Sequence, residues 1–146
     1  MPGFGASASA ASDEAKGGEE LAKVFASLVG RVALDKLPSV LAGCDLYVGN
    51  DSGPKHMAAA LGVPTVGVQA GSVDAVEWGP LGPGSVAVRR AMTCSPCYLA
   101  KAADCHRALG CLTGVRVADV YEQCRRLLLL AGSGGGAAIA LAAAPP

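Results

Sequence analysis

Hydrophobic residues recur along the chain with two different spacings. In segments 19–29, 34–44 and 117–131 they repeat at the three- and four-residue intervals of an amphipathic helix. The first of these helices is expected to end at Gly30, and the second contains Pro38, which a helix tolerates only in its first turn. One face of the third is expected to carry Val117, Val120, Cys124, Leu127 and Leu128.

Short apolar runs of a different kind lie between these helices. DLYVGN (45–50), PTVGVQ (64–69) and SVAVRR (85–90) are rich in residues that favour strands, and SGPKHMAAALG (52–62) has the composition of a helix. Short buried strands that alternate with helices predict an α/β fold with a Rossmann-like parallel sheet and flanking helices. Ligands of such folds bind outside the carboxyl ends of the strands.

The two ends of the chain differ in composition from its middle. Residues 1–16 are small and polar and are expected to be disordered, and residues 132–146 are expected to form a flexible Gly/Ala-rich tail. The ordered domain is therefore expected to cover residues 17–131. No signal peptide is predicted at the start of the chain, and no transmembrane span near its end.

Charge and aromatic content argue against one class of partner. The 12 Lys and Arg residues balance the 12 Asp and Glu residues, and aromatic residues make up 4% of the chain. Nucleic-acid binding usually needs a basic stripe or a set of stacking aromatic rings. We therefore expect no nucleic-acid partner.

Turn and capping residues are concentrated where the first predicted strand ends. Asp51 or Ser52 is expected to cap the following helix by accepting a backbone N–H, and Pro54 suits its first turn. Gly53 has no side chain, so another group can approach the backbone closely there. The helix N-terminus could bind a pyrophosphate. The same residues could serve only as a helix cap, and their spacing does not separate the two interpretations.

A longer stretch around this corner resembles a known family. VLAGCDLYVGNDSGPKHMAAALGVPTVGV, followed by WGPLG, is similar to the nucleotide-sugar half of the family 9 glycosyltransferases, the ADP-heptose:lipopolysaccharide heptosyltransferases and their relatives. Every position of the family's D-[ST]-G-x-x-H-x-A-A-A-L-G-x-P signature is filled between Asp51 and Pro64. The resemblance covers roughly residues 17–130. It implies the C-terminal, donor-binding half of a GT-B fold.

The resemblance also implies a ligand and roles for individual residues. The ligand would be an ADP-sugar or another nucleotide-diphosphate sugar. Ser52 and Gly53 would donate hydrogen bonds to phosphate oxygens, while His56 would contact phosphate or sugar. Asp51 would hold the turn or bind sugar hydroxyls, and Lys55 would add positive charge. The residues expected at the nucleotide pocket are Val32, Ala33, Leu34, Glu19 and Glu20.

The activity implied by the resemblance is inverting sugar transfer to a glycan or lipopolysaccharide-type acceptor. In the family, the N-terminal half binds the acceptor and supplies the carboxylate base, so we assign no catalytic residue and expect an incomplete stand-alone enzyme. The alternative is a non-catalytic, metal-stabilised binding or scaffold module that has lost transfer. Transfer itself is expected to need no metal, since a helix dipole and cationic side chains can offset the leaving diphosphate. The implied location is cytoplasmic, either free or peripherally associated with the inner face of the membrane.

Four cysteines fall in one loop, residues 94–111. Cys94, Cys97, Cys105 and Cys111 include a C-x2-C pair, which is a common spacing of zinc ligands, and a structural zinc ion is one interpretation. An iron–sulfur cluster, disulfides and free thiols are the others, with disulfides disfavoured in a reducing compartment. The two remaining cysteines, Cys44 and Cys124, are expected to be core residues.

The loop after the second predicted strand holds further polar candidates. Asp74 and Glu77 could meet sugar hydroxyls or simply be solvated, and Trp78 is expected to anchor the loop by packing. Arg89 and Arg90 are expected to end the third strand at the same edge of the sheet.

Overall fold

The computed structural model describes residues 26–131 and the backbone of residues 139–141. The chain divides into two compact units, residues 1–33 and 34–146. In the first unit, the described residues form a turn in which the Arg31 N–H donates to the Leu28 carbonyl at 3.0 Å. Gly30 there has a φ of +68°. The helix predicted over residues 19–29 falls mostly outside the described residues, and its last four positions, residues 26–29, are not helical.

The second unit contains the predicted helices and strands in the predicted order, and it adds two short helices within the predicted loops and a fourth strand. The helices are α1 (Leu37–Ala42), α2 (Gly53–Ala60), α3 (Ala75–Trp78), α4 (Gly110–Thr113) and α5 (Val117–Leu130), with a 3-10 turn at Ala102–Asp104. The strands are β1 (Leu46–Asn50), β2 (Thr65–Val68), β3 (Ser85–Val88) and β4 (Ile139–Leu141). The three predicted strands are thus confirmed, although β3 ends before Arg89 and Arg90.

All strand pairs in the sheet are parallel, and the strand order is β3-β2-β1-β4. In the register of β1 and β2, Tyr47 lies opposite Thr65 and Gly49 lies opposite Gly67. This arrangement confirms the predicted α/β, Rossmann-like parallel sheet with flanking helices. The carboxyl ends of β1 and β2 therefore lie side by side at one edge.

Each side of the sheet packs against different helices. On the side that we call the α2 face, Leu41 of α1, Tyr47, Ala58 of α2 and Val63 form one core cluster. On the side that we call the α5 face, the cluster consists of Leu46, Val66, Val88 and Leu127. The alternation of side chains along a strand explains why Leu46 and Tyr47, adjacent in sequence, belong to different clusters.

Pro38 and Gly62 lie at helix ends, as predicted, and all but one of the residues predicted on the buried face of α5 contact the core. Pro38 lies in the first turn of α1, and Gly62 follows α2 with a φ of +78°, a conformation that favours glycine. In α5, Val120, Cys124, Leu127 and Leu128 contact the α5-face core as predicted. Val117 was also predicted there but is 86% exposed, because it is the first residue of α5 and lies three residues before the first helix residue that contacts the core, Val120.

No helix in the described part of the chain is both long enough and apolar enough to cross a membrane.

Candidate functional site

The candidate site is the corner between β1 and α2 at the carboxyl edge of the sheet. Asn50 ends the strand, Ser52 has an extended backbone, and α2 begins at Gly53 with Pro54 in its first turn. Asn50, Asp51, Ser52 and Gly53 are all exposed. A Cβ atom built on Gly53 would meet no other atom within 4 Å. The N-terminus of α2 therefore opens onto free space.

The predicted side-chain cap of α2 is not formed. The Ser52 hydroxyl donates to the Asn50 carbonyl at 3.3 Å, and no side chain of the described residues accepts a hydrogen bond from the first turn of the helix. The Asp51 carboxylate instead accepts from the ammonium of Lys55, one helical turn later. The prediction was wrong because a charged partner four residues away competes with the backbone N–H groups for Asp51. The first turn of α2 is left without a side-chain acceptor.

Lys55 lies beneath the corner and not at its opening. Its side chain is fully buried, whereas the Asp51 side chain is 32% exposed. The ammonium donates to the Asp51 carboxylate and, at 2.5 Å, to the backbone carbonyl of Trp78. A buried ammonium needs such partners, because an unpaired buried charge is strongly unfavourable. In this arrangement Lys55 links the corner to the end of α3.

Two glycines make room for this buried lysine and for its neighbour Tyr47. A Cβ atom on Gly67 would lie 2.8 Å from the Lys55 Cδ, and one on Gly49 would lie 2.7 Å from the Tyr47 Cζ. Gly49 and Gly67 are partners in the register of β1 and β2. Together they form a shallow depression on the α2 face, which we call the glycine trough. The Tyr47 ring and the Lys55 aliphatic chain fill it.

Two buried polar groups near the corner were not predicted from the sequence. The Tyr47 hydroxyl is buried and, in the described structure, has no hydrogen-bond partner. Burial raises the pKa of Tyr47, and the nearby Ser52 hydroxyl partly lowers it. A buried hydroxyl without a partner is unfavourable by about 1–3 kcal/mol, so such groups commonly mark a place for water or a ligand.

Gln69 is the second of these groups. Its backbone N–H donates to the Val88 carbonyl at 3.0 Å and so continues the ladder between β2 and β3. The side chain is 1% exposed, and within the described residues neither its amide nitrogen nor its amide oxygen has a partner. Strand alternation assigns it to the α2 face, two residues beyond Gly67. The only available signal was a glutamine at the end of an otherwise apolar run.

The remaining polar candidates near the corner have mixed outcomes. His56 is half-buried in α2, and its contact with a ligand stays a prediction. Asp74 caps α3 by accepting the Val76 N–H at 2.8 Å, while Glu77 is exposed. The Trp78 side chain is 53% exposed, so the loop is anchored by the Trp78 carbonyl on Lys55 and not by the packing of the indole.

The predicted nucleotide pocket is untested by the structure. Val32 and Ala33 belong to the first compact unit, and Leu34, which begins the second, is 74% exposed. Glu19 and Glu20 lie outside the described residues.

The cysteine loop is held by backbone contacts. The Cys97 N–H donates to the Gly71 carbonyl at 3.3 Å, and the Tyr98 N–H donates to the Ser72 carbonyl at 2.7 Å. The Ser95 hydroxyl also donates to Gly71, at 3.0 Å. These bonds attach the loop to the segment that follows β2.

The thiols in this loop do not converge. Cys94 is exposed and Cys111 is buried, and all the cysteines are free thiols. Between residues 26 and 131, no three His, Cys, Asp or Glu side chains are grouped as a metal ion would require. This arrangement does not fit a ready zinc site at Cys94, Cys97, Cys105 and Cys111, and a structural zinc ion stays a prediction.

The other two cysteines are core residues, as predicted. Cys44 packs against the α2-face cluster and Cys124 against the α5-face cluster. Burial raises the pKa of both thiols.

Comparison with known proteins identifies the family. The model of "Glycosyltransferase family 9 (heptosyltransferase)" matches residues 5–105, which is more than half of the chain. This chain belongs to glycosyltransferase family 9. Searches of curated proteins and of solved structures returned no match. The β1–α2 corner and the glycine trough both lie within the part of the chain that matches the glycosyltransferase family.

Proposed function

We propose that this glycosyltransferase chain binds a nucleotide-diphosphate sugar, and that the β1–α2 corner holds the donor's diphosphate. The observation that carries the proposal is the uncapped first turn of α2, which opens onto free space at Gly53. Backbone N–H groups at a helix N-terminus, together with the positive end of the helix dipole, favour a bound anion.

The surroundings of the corner support an anionic ligand with hydroxyl groups. Ser52 is exposed, and in the described structure its hydroxyl makes one long hydrogen bond, to the Asn50 carbonyl, which a bond to a phosphate oxygen would replace. The buried Tyr47 hydroxyl lies close to Ser52 and has no hydrogen bond of its own in the described structure. A ligand or water at the corner would satisfy it. His56, one turn into α2, would contact a phosphate or the sugar.

The corner would contribute to transfer chiefly by stabilising the leaving group. When the sugar–oxygen bond breaks, negative charge grows on the departing diphosphate, and fixed N–H donors stabilise that charge. The carboxylates near the corner already have other partners, since Asp51 pairs with Lys55 and Asp74 caps α3. We therefore assign donor binding to these residues and no deprotonation of an acceptor. An ADP-linked donor and a glycan or lipopolysaccharide-type acceptor are parts of the same proposal.

Calorimetric titration with ADP tests the proposal. A parallel titration with UDP shows whether the protein distinguishes adenine from uracil. We expect saturable ADP binding that Ser52→Ala and His56→Ala each weaken by about tenfold. A hydrogen bond to a charged group contributes roughly 1.5–3 kcal/mol, and each 1.4 kcal/mol is about tenfold in affinity. Gly53→Val should abolish binding, because its side chain would occupy the space that the diphosphate needs.

Matched controls come from the same chain. Ser39→Ala changes an exposed serine of α1, and His106→Ala changes an exposed histidine of the cysteine loop, so neither should alter ADP affinity. Equal losses in the control and corner variants would contradict the proposal. So would a folded protein that gives no heat with either nucleotide, which would favour the non-catalytic module.

A further inference from the structure

A second polar recess lies at the other end of the carboxyl edge, beyond β3. It is an open cavity of about 420 Å³ between the end of β3 and the turn that leads into α5. Its charged lining consists of Arg89, Arg90, Arg116 and Asp119. The β1–α2 corner contributes no residue to it. Since β2 lies between β1 and β3, the two strand ends are about 10 Å apart.

The charges in this cavity do not balance. Asp119 is fully engaged by Arg116, whose Nη2 and Nε donate to the two carboxylate oxygens at 2.6 and 3.1 Å. The Arg116 backbone N–H also donates to Asp119, at 3.2 Å. Among the described residues, the side chains of Arg89 and Arg90 have neither a hydrogen bond nor an ion pair. Within the lining of this cavity, three guanidinium groups thus share one carboxylate. The adjoining recess adds Glu122, which makes no hydrogen bond or ion pair among the described residues, so the net charge around the cavity is positive.

Arg90 is directed into the cavity by its surroundings. Its backbone N–H donates to the Cys111 carbonyl at 3.3 Å, which fixes the chain where β3 has ended. Its side chain crosses Gly114, where an added Cβ would lie 2.7 Å from the Arg90 Nη1. Because glycine has no side chain, the Arg90 guanidinium can lie over residue 114. Arg90 is therefore held at the cavity without a charged partner.

We propose that this cavity binds the phosphate group of a small molecule, at a site separate from the β1–α2 corner. Guanidinium groups bind phosphate through paired, charge-assisted hydrogen bonds, and two of the three here have no other partner. The first turn of α5, which follows Arg116, adds the positive end of a 14-residue helix. The volume falls within the range of roughly 300–1,000 Å³ that small-molecule sites occupy, so a substituent on the phosphate can be accommodated.

The test is an NMR titration of the ¹⁵N-labelled full chain with inorganic phosphate at constant ionic strength. We expect saturable shifts of the Arg89 and Arg90 Nε–H signals and of the backbone amides of residues 116–119. Chloride at the same ionic strength should produce none. Arg90→Gln should weaken phosphate binding about tenfold, the loss expected for one charge-assisted contact. Arg125→Gln removes the same charge from an exposed arginine of α5 outside the cavity, and should change affinity by about twofold or less.

The outcomes separate this site from the donor site. Shifts that rise linearly without saturation, or equal weakening in Arg125→Gln and Arg90→Gln, would overturn the proposal. Shifts confined to Gly53, Lys55 and their neighbours would also overturn it, while supporting anion binding at the corner. Saturable shifts at the cavity in a protein that does not bind ADP would support this site and contradict the proposed function. If the NMR spectrum of Arg90→Gln shows that this variant is unfolded, Arg89→Gln is tested in its place.

Discussion

The two faces of the sheet differ in the polarity of their buried side chains. The buried cluster on the α5 face is purely aliphatic, formed by Leu46, Val66, Val88 and Leu127. The α2 face also buries polar groups, since Lys55, Thr65, Gln69 and the Tyr47 hydroxyl are all inaccessible to solvent. Polar groups are buried only at some expense in free energy. These groups are concentrated on the face that carries the β1–α2 corner. This distribution indicates that the α2 face serves function as well as stability.

The polar groups of the α2 face differ in how well they are satisfied. Thr65 donates to the Val63 carbonyl at 2.8 Å, and Lys55 has two acceptors. The Tyr47 hydroxyl and the Gln69 amide have none among the described residues. The satisfied groups hold the loops together, and the unsatisfied groups are the ones that a ligand or water would complete. Among the described residues, the α5 face has no buried polar side chain that would need a partner.

The largest expected loss of stability comes from replacing Asp51, the more exposed partner of the ion pair beneath the corner. Asp51→Asn would leave the Lys55 ammonium fully buried beside a neutral group, and should lower the free energy of unfolding by about 3–5 kcal/mol. Lys55→Met would remove the buried charge and leave a partly exposed carboxylate, so its effect should be much smaller. Urea unfolding of both variants gives the comparison. A greater loss in Lys55→Met would show that the α2 face does not depend on burying this charge.

The elements of this fold are predictable from sequence because their signals are local. The apolar runs of β1 and β2, the proline in α1 and the glycine after α2 each act within a few residues. The direction of the Lys55 side chain has no such signal. It depends on Gly67, which is twelve residues away and becomes its neighbour only when β2 pairs with β1.

The missing cap of α2 has the same origin. Asp51 and Ser52 are good capping residues by type, but a lysine that folds beneath the corner takes the carboxylate. The buried Gln69 amide was missed because a glutamine at a strand end is usually exposed. The local order of strand, turn and helix at the corner was therefore easier to predict than the direction of its side chains.

A smaller effect is expected from filling the glycine trough. Gly67→Ala would bring a methyl group against the Lys55 Cδ and should destabilise the fold by about 1–3 kcal/mol, as overpacking of a core commonly does. Gly53→Ala is the matched control. Its Cβ would meet no atom within 4 Å, so thermal unfolding should show a loss of about 0.5 kcal/mol or less. Equal destabilisation by the two substitutions would mean that the trough is not tightly filled.

The smallest expected effect lies at the rim of the α5 face, where Asp119 pairs with Arg116. This pairing lowers the pKa of Asp119 below its ordinary value of 3.8. A lowered carboxyl pKa contributes stability above the unfolded-state value, and that contribution is lost as pH falls through the folded-state value. Asp119→Asn should therefore be slightly less stable than the parent near neutral pH, and the difference should shrink below about pH 4.

Urea unfolding across that pH range checks the sign. Glu122→Gln removes a carboxylate from the same helix that makes no hydrogen bond or ion pair in the described structure, and should show a smaller change with pH. A difference between Asp119→Asn and the parent that grows as the pH falls would be the opposite of what this ion pair predicts.

The contact between Lys55 and Gly67 also limits how this protein can vary over evolutionary time. A residue with a Cβ at position 67 is accommodated without strain only if the side chain at position 55 is too short to reach it. A short side chain at position 55 removes the ammonium that Asp51 and the Trp78 carbonyl share. Position 78 is under no such restriction, because it contributes a backbone carbonyl that any residue has. Positions 55 and 67 should therefore change together among relatives of this chain, while position 78 drifts independently of them.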